Sequence, residues 1–194
     1  MSRNLSPEKR ARYLESALKL FVANGVKNTS TAAIAKDAGT AAGTLFLYFP
    51  TKQDLIHELV LEIARQQSDY IKSLQTSSLP ARETFRTIWF GSFQWFLDNM
   101  VSYQYIRQVR DSGLIAEEVV QESEQYLDYY YAAIQKGLAE GAIKTYPLEL
   151  IGTFLYQGIV AVMNLVSSGT EPDQQTTYIQ HGFDIFWDGI KTGN

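Results

Sequence analysis

The sequence predicts an all-α protein. Apolar residues recur at intervals of three and four along nearly the whole chain, and no alternating stretch bounded by turn signals indicates a β-strand. Clusters of glycine, proline and serine divide this pattern into segments of helix length. With 194 residues, 45% of them hydrophobic, the chain can form one or two domains with a substantial core.

The first helix is predicted to begin at Ser6-Pro7, with the serine as N-cap and the proline in the first helical position. Gly25 is predicted to end it, because glycine tolerates the backbone geometry found just past a helix end. The buried stripe of this helix is predicted to consist of Leu14, Ala17, Leu18 and Phe21.

Two short helices joined by a tight turn are predicted within the segment TSTAAIAKDAGTAAGTLFLYFPTK, which begins at Thr29. Ser30 or Thr31 caps the first helix, Gly39 permits the turn, and Pro50 stops the second helix. The residues predicted to close the small core of this pair are Ile34, Ala35, Ala38, Leu45, Phe46 and Phe49. Together with the first helix, this pattern predicts a helix-turn-helix unit.

A long helix is predicted from Lys52 to about Leu74, because Thr51 and Asp54 have the spacing of a capping box. A polar loop then runs to Pro80. The later helices are predicted at 81–99, 101–110, 115–139, 147–167 and 174–190, separated by glycine, serine and proline residues.

The second short helix is the candidate reading helix, since helix-turn-helix proteins place such a helix in the major groove of DNA. Thr40, Ala41, Gly43 and Thr44 are the candidate base-contacting residues at its start. The helix has no arginine for guanine, so thymine-methyl contacts, DNA shape and bridging water are the routes left for specificity. Lys52, in the first turn of the long helix, is a candidate phosphate contact.

The distribution of charge supports a DNA-binding N-terminus on a body that avoids DNA. The whole chain has a formal net charge of −4. Residues 1–52 hold eight basic and three acidic side chains, a net charge of +5, and the remaining residues have a net charge of −9. A basic unit joined to an acidic domain is the pattern expected of a DNA-binding head on a larger non-binding domain.

The first fifty-odd residues resemble the DNA-binding domain of the TetR family of bacterial transcriptional regulators. The resemblance rests on the segments LESALKLFVANGV, TSTAAIAKDAG, GTLFLYF and TKQDLI, in the family's order and spacing. It implies a three-helix DNA-binding domain over residues 1–51 and a larger helical effector-binding and dimerisation domain over 52–194. The helix at about 52–74 connects the two. It also implies a homodimeric repressor that releases its operator when a small molecule binds.

Carried over by motif position, the resemblance assigns DNA-binding roles to seven residues. Ser30 and Thr31 stand at the entrance of the reading unit, and Tyr48 and Lys52 at phosphate contacts. The base-proximal residues are Thr40, Ala42 and Thr44.

The C-terminal part is rich in aromatic residues, which predicts either a core or a ring-lined effector cavity. Three consecutive tyrosines, Tyr129 to Tyr131, cannot share one helical face, so at least one of them lies outside the core. The residues predicted to bind an aromatic or lipophilic effector are Trp89, Phe93, Phe96, Tyr130, Phe154 and Gln157.

The last two helices carry more apolar surface than one small bundle needs, which favours an intersubunit four-helix bundle over simple closure of a core. The residues predicted for this dimer interface are Ala161, Ile179, Phe183, Phe186 and Trp187. A two-fold dimer also matches a palindromic operator.

Several other classes are disfavoured. The chain has no cysteine, which excludes disulfides and cysteine-bound metals, and its two histidines, His57 and His181, have no partner at catalytic or metal-binding spacing. We therefore expect no enzyme activity, metal or cofactor, and a helical hydrolase is the remote alternative. A non-specific architectural DNA-binding protein is the other. Without an apolar leader or a membrane span, the protein is predicted to be cytoplasmic.

Overall fold

The computed structural model describes residues 5–76 and 78–193, and over these residues the chain is helical with no β-strand. A single antiparallel bridge pairs Ile143 with Lys191. The helices are α1 (Pro7–Asn24), α2 (Thr31–Asp37), α3 (Ala42–Leu45), α4 (Lys52–Leu74), α5 (Ala81–Asp98), α6 (Met100–Asp111), α7 (Glu117–Ser123), α8 (Asp128–Ala139), α9 (Leu148–Val166) and α10 (Pro172–Ile190). The all-α prediction is confirmed.

The helix starts follow the predicted caps. Ser6 accepts a hydrogen bond from the Lys9 N–H at 3.3 Å, and Pro7 occupies the first turn of α1. At the start of α4, the Asp54 carboxylate accepts hydrogen bonds from the Thr51 N–H and the Thr51 hydroxyl, both at 2.8 Å. The predicted capping box is therefore confirmed, and it fixes the beginning of the longest helix.

The helix predicted over 115–139 is interrupted. A 3₁₀ turn at Glu124–Leu127 separates α7 from α8, and Asp128 at the start of α8 forms an ion pair with Lys72 at 2.7 Å. The 3₁₀ turn contains no glycine or proline to mark the break, so the helical spacing of apolar residues runs through it.

The chain divides into two compact units by internal packing. The first comprises residues up to Arg65 together with Asn99–Gln125, and the second comprises Gln66–Asp98 and Tyr126 onwards. The first unit therefore contains α6 and α7 as well as the helix-turn-helix, and α4 contributes to both units. In the first unit α6 packs on α1, where the Tyr105 hydroxyl donates to the Ile56 carbonyl at 2.9 Å and the Tyr105 and Phe21 rings stack at 5.9 Å.

The second unit is centred on Trp89 of α5. Its indole N–H donates to the Ile179 carbonyl at 2.8 Å, and its ring lies within about 6 Å of the rings of Phe93, Phe183 and Phe186. A Cβ atom built on Gly182 would lie 2.7 Å from the Trp89 ring. Glycine at that position allows α10 to approach the tryptophan closely, and α5, α9 and α10 each pack against the other two.

Candidate nucleic-acid interface

The reading unit is built by α2, the turn at Gly39 and α3. The Ser30 hydroxyl accepts from the Ala33 N–H at 3.1 Å and so caps α2, while Ile34 and Ala35 are fully buried. Gly39 has φ +71°, the left-handed geometry that glycine adopts without strain. The predicted turn residue is therefore placed as the sequence indicated.

Thr40 is held in the turn by hydrogen bonds in both directions. Its Oγ1 accepts from the Tyr13 hydroxyl at 2.7 Å and donates to the Ala35 carbonyl at 3.2 Å. The Thr40 hydroxyl, which was predicted to contact a base, thus links the turn to α1 by a hydrogen bond. Sequence reasoning missed Tyr13, because the contact joins residues that are 27 positions apart.

The Tyr13–Thr40 hydrogen bond gives a first prediction. Tyr13→Phe keeps the buried ring and removes the bond, so the free energy of unfolding should fall by about 1 kcal/mol. Chemical denaturation measures this change. In a double-mutant cycle, Tyr13→Phe should add almost nothing in a Thr40→Val background, and a full additive loss would contradict the assigned bond. Tyr146→Phe, at an exposed ring, is the matched control.

In α3 and the turn after it, one face is buried and the other is exposed. Leu45 and Phe49 are buried, as predicted. Phe46, predicted as a third anchor, is instead 45% exposed, and Leu47 beside it is 56% exposed. Phe46 lies only one residue after Leu45 in a helical turn, so the two side chains point about 100° apart and cannot both enter the core. The prediction for Phe46 was wrong.

The predicted base-proximal side chains lie on this outer surface. Ala41, Ala42 and Gly43 are exposed, and Thr44 is half-buried. Within the described residues the Thr44 hydroxyl has no hydrogen-bond partner, unlike the hydroxyl of Thr40. Thr31, predicted at the entrance to the unit, is half-buried as the first residue of α2.

The two predicted phosphate contacts are half-buried. The Tyr48 hydroxyl accepts from the Ser6 N–H at 3.1 Å, which leaves its own hydrogen available to a phosphate oxygen. Lys52 Nζ lies 3.4 Å from the Lys27 carbonyl and 5.9 Å from the centre of the Phe21 ring. Burial lowers the pKa of the Lys52 ammonium.

An open pocket of about 360 Å³ lies beside Lys52 and is lined by Lys27, Thr51 and Gln53, among others. The Gln53 amide donates to the Leu114 carbonyl at 2.8 Å and also contacts the His57 ring, so both side chains are engaged in packing within this unit. His57 therefore has a side-chain partner within this unit.

The exposed basic side chains around the reading unit are Lys9, Arg12, Lys27 and Lys36. Two other cations are engaged internally, because Lys19 pairs with Asp37 at 2.8 Å and Arg10 pairs with Glu58. The positive charge predicted from the N-terminal segment is thus partly compensated. The four exposed cations form no ion pair within the part of the chain that the structure describes, and they flank an uncharged reading surface. Phosphate contacts position a protein on DNA without reading its sequence.

Two family models together cover residues 14–192. Residues 14–59 match the model described as bacterial regulatory proteins, tetR family, and residues 60–192 match a tetracyclin repressor-like C-terminal domain. The chain belongs to the TetR family of transcriptional regulators. Members of this family regulate transcription by binding DNA and are not enzymes.

Individual TetR-family relatives match along most of the chain. An uncharacterized HTH-type transcriptional regulator, YhgD of Bacillus subtilis, is 25% identical over 82% of this chain and 84% of its own. The regulator SrpR of Pseudomonas putida is 26% identical over 93% of this chain and 84% of its own. The crystal structure of a putative tetR family regulator from Shewanella sp. PV-4 has a TM-score of 0.86 and 28% identity, covering 95% of this chain and 99% of its own.

The structure places the residues predicted to bind an effector in two environments, the core of the second unit and the surface of α9. Trp89, Phe93 and Tyr130 are buried in the core of the second unit, and Phe96 is half-buried against Trp95. Phe154 is 64% exposed, and Gln157 is also exposed, on the outer face of α9. The helical spacing identified these aromatic residues without showing which face of each helix meets the core.

Four of the five residues predicted for a dimer interface are buried within the protomer. Ile179, Phe183, Phe186 and Trp187 pack in the core, and only Ala161 lies on exposed surface. Sequence reasoning selected the more aromatic stripe of α10 and missed its second apolar stripe. That second stripe is led by Ile185, which is 76% exposed.

α9 is also long and apolar enough to cross a membrane by length and composition alone, with a mean hydropathy of 1.5 over its most apolar window. Only 28% of that window is buried within the protomer. The packing of α9 against α8 and α10 gives this helix a place in a helical domain, and its unburied apolar side chains need another explanation. Among the described residues, no group of three or more histidine, aspartate or glutamate side chains is arranged to hold a metal ion.

Proposed function

We propose that this protein is a dimeric, ligand-responsive repressor that binds a palindromic operator and is released by a small aromatic or lipophilic effector. Residues 1–51 bind DNA, and residues 52–194 bind the effector and form the dimer. The observation that carries the proposal is the exposed, uncharged surface of α3 with cations around it, in a chain that matches the TetR family over both parts.

The exposed apolar side chains of α9 and α10 support the dimer. On α9, Leu150, Phe154, Ala161 and Leu165 recur at helical spacing along the outer face, and on α10 Tyr178 and Ile185 lie seven residues apart. An exposed apolar surface of this extent marks an interaction site. A second copy of the same two helices covers it in a four-helix bundle, and this also accounts for the apolar character of α9.

A two-fold dimer presents two reading helices to two half-sites. The half-sites lie one helical turn of DNA, or a multiple of it, apart. The operator is therefore a palindrome. We expect the protein to act in the cytoplasm, the compartment that holds its operator DNA.

Buried polar groups in the second unit support an effector site among its aromatic residues. The hydroxyl of Ser68 on α4 is buried and has no hydrogen-bond partner in the described part of the chain. On α8, the rings of Tyr129 and Tyr130 lie 4.5 Å apart, and burial raises the pKa of both phenols. On α5, the hydroxyl of Ser92 is likewise buried and has no hydrogen-bond partner among the described residues.

A buried polar group without a partner costs about 1–3 kcal/mol, which a ligand with a matching donor or acceptor recovers. An apolar, aromatic effector with one or two polar atoms fits this combination of rings and hydroxyls. The proposed effector site keeps Tyr130 from the effector-binding residues predicted by the sequence. It also includes Ser68, Ser92 and Tyr129, which the sequence did not indicate.

Release of the operator requires that the effector prefer the protein conformation that binds DNA poorly. A ligand with equal affinity for both conformations changes nothing, and operator and effector weaken each other's binding by the same factor. α4 is the element that transmits the change, because it belongs to both packed units.

The main alternative is a non-specific architectural DNA-binding protein. Such a protein binds all sequences through phosphates, with an affinity that falls steeply with salt. The acidic body of this chain, with a net charge of −9 beyond residue 52, opposes that role. A helical hydrolase has no support from His57, which packs against Gln53.

Lys52→Ala should weaken binding to every duplex by a similar factor and reduce the slope of log affinity against log salt by roughly one phosphate contact. Fluorescence anisotropy over a range of salt concentrations measures both quantities. Thr44→Ala is the contrasting variant, and it should change which sequence is preferred and leave the salt slope alone. A change in preference for Lys52→Ala, with an unchanged slope, would contradict the phosphate role.

The proposal as a whole is tested by selecting bound sites from random duplex DNA with the full-length purified protein. A palindromic consensus is the expected result. If no sequence is enriched, the protein is not a sequence-specific regulator.

A further inference from the structure

The outer surface of the reading unit has an unusual chemical composition. From Ala38 to Pro50 the chain contains no charged residue, no asparagine and no glutamine. Guanine is read mainly by arginine or lysine, and adenine by asparagine or glutamine. The side chains that commonly recognise purine edges are therefore missing from the segment that faces the major groove.

The hydroxyl groups of the segment contribute little to replace them. Thr40 Oγ1 is occupied as donor and acceptor inside the turn, and the Tyr48 hydroxyl accepts the Ser6 N–H. Only the Thr44 hydroxyl is without a partner in the described residues, and Thr44 is half-buried.

Apolar groups fill the rest of this surface. Phe46 and Leu47 are each about half exposed, and Ala41 and Ala42 present methyl groups beside them. The buried side of the same segment is formed by Leu45 and Phe49, so Phe46 and Leu47 are not needed for the core. The one apolar group that B-DNA presents in its major groove is the 5-methyl group of thymine.

We propose that this protein selects its operator by contacts of Ala41, Ala42, Phe46 and Leu47 with thymine methyl groups. The inference rests on the proposed function and extends it by assigning the specificity-determining residues and the base that they read. Cations outside the segment, such as Lys27, Lys36 and Lys52, hold phosphates and do not discriminate between sequences.

The test uses the selected operator duplex, in which individual thymines are replaced by bases that lack or retain the 5-methyl group. Replacing thymine by deoxyuridine removes only the methyl group and keeps the hydrogen-bonding edge. Affinity should fall about fourfold for each contacted methyl, the value of burying one such group, and about sixteenfold when both half-sites are changed. Replacing the same thymine by cytosine should weaken binding, and 5-methylcytosine should recover part of the loss.

Variants assign the effect to the protein surface. Leu47→Ala and Phe46→Ala should each bring the ratio of thymine to deoxyuridine affinity close to one at the thymine that the truncated side chain contacts, and thermal melts should show that both variants remain folded. Lys52→Ala is the matched control, because it should lower both affinities and leave the ratio unchanged.

The outcomes separate this inference from the proposed function. If a palindromic site is selected but deoxyuridine binds as well as thymine at every position, methyl reading is overturned and the regulator remains. If no site is selected, both are overturned. A thymine preference that persists in the Phe46 and Leu47 variants would also overturn the assignment to these residues.

Discussion

Ile185→Asp should yield a folded monomer that binds the selected operator at least roughly a hundredfold more weakly than the parent protein. Ile185 is 76% exposed on α10, so a carboxylate there leaves the protomer core intact. In the proposed dimer the partner covers this position, and an unpaired charge there would be strongly unfavourable. A monomer holds one half-site at a time and loses the advantage of two linked contacts.

Light scattering and operator titration measure the two parts of this result. Val120→Asp is the matched control, since Val120 is also exposed and apolar but lies on α7. It should remain a dimer with parental affinity. If Ile185→Asp remains a dimer at micromolar concentration, the interface does not lie on this face of α10.

Trp89→Ala should lower the free energy of unfolding by about 3–5 kcal/mol, a large fraction of the roughly 5–15 kcal/mol that is typical of folded proteins. The tryptophan is fully buried, and its removal leaves a large cavity against Phe93, Phe183 and Phe186. The carbonyl of Ile179 also loses its hydrogen-bond donor. The Trp89 ring packs against residues of both α5 and α10. Its removal therefore also loosens the packing that holds α10 in place.

Chemical denaturation of the wild type and the variant measures this loss. Tyr131→Ala removes a partly exposed ring from α8 and should cost less than about 1 kcal/mol. Trp89→Phe should fall between the two, because it keeps most of the ring contacts and loses the indole donor. A Trp89→Ala variant as stable as Tyr131→Ala would contradict the central position of this side chain.

Three helix starts, those of α1, α2 and α4, were predictable because they depend on local chemistry. Ser6 with Pro7, Ser30, and Thr51 with Asp54 cap their helices through partners three residues away. The break before α8 was not predictable in this way, since Glu124–Leu127 contains no glycine, proline, serine, asparagine or aspartate.

The faces of the helices were less predictable than their ends. α10 has two apolar stripes, one with Phe183 and Trp187 and one with Ile185, and sequence spacing alone cannot tell which of them enters the core of the protomer. Thr40 presents a similar difficulty. Its chemistry fits a base contact, but its hydroxyl is bonded to Tyr13, a partner that only the tertiary fold brings near.

The most direct measurement is the affinity for the selected palindrome relative to a scrambled duplex of the same length, taken at several salt concentrations together with the protein-to-DNA stoichiometry. A dimeric sequence-specific repressor predicts a ratio of at least about 10³ and two protomers on each palindrome. Equal affinities for the two duplexes, with equal salt slopes, would contradict it and identify the protein as a non-specific DNA-binding protein.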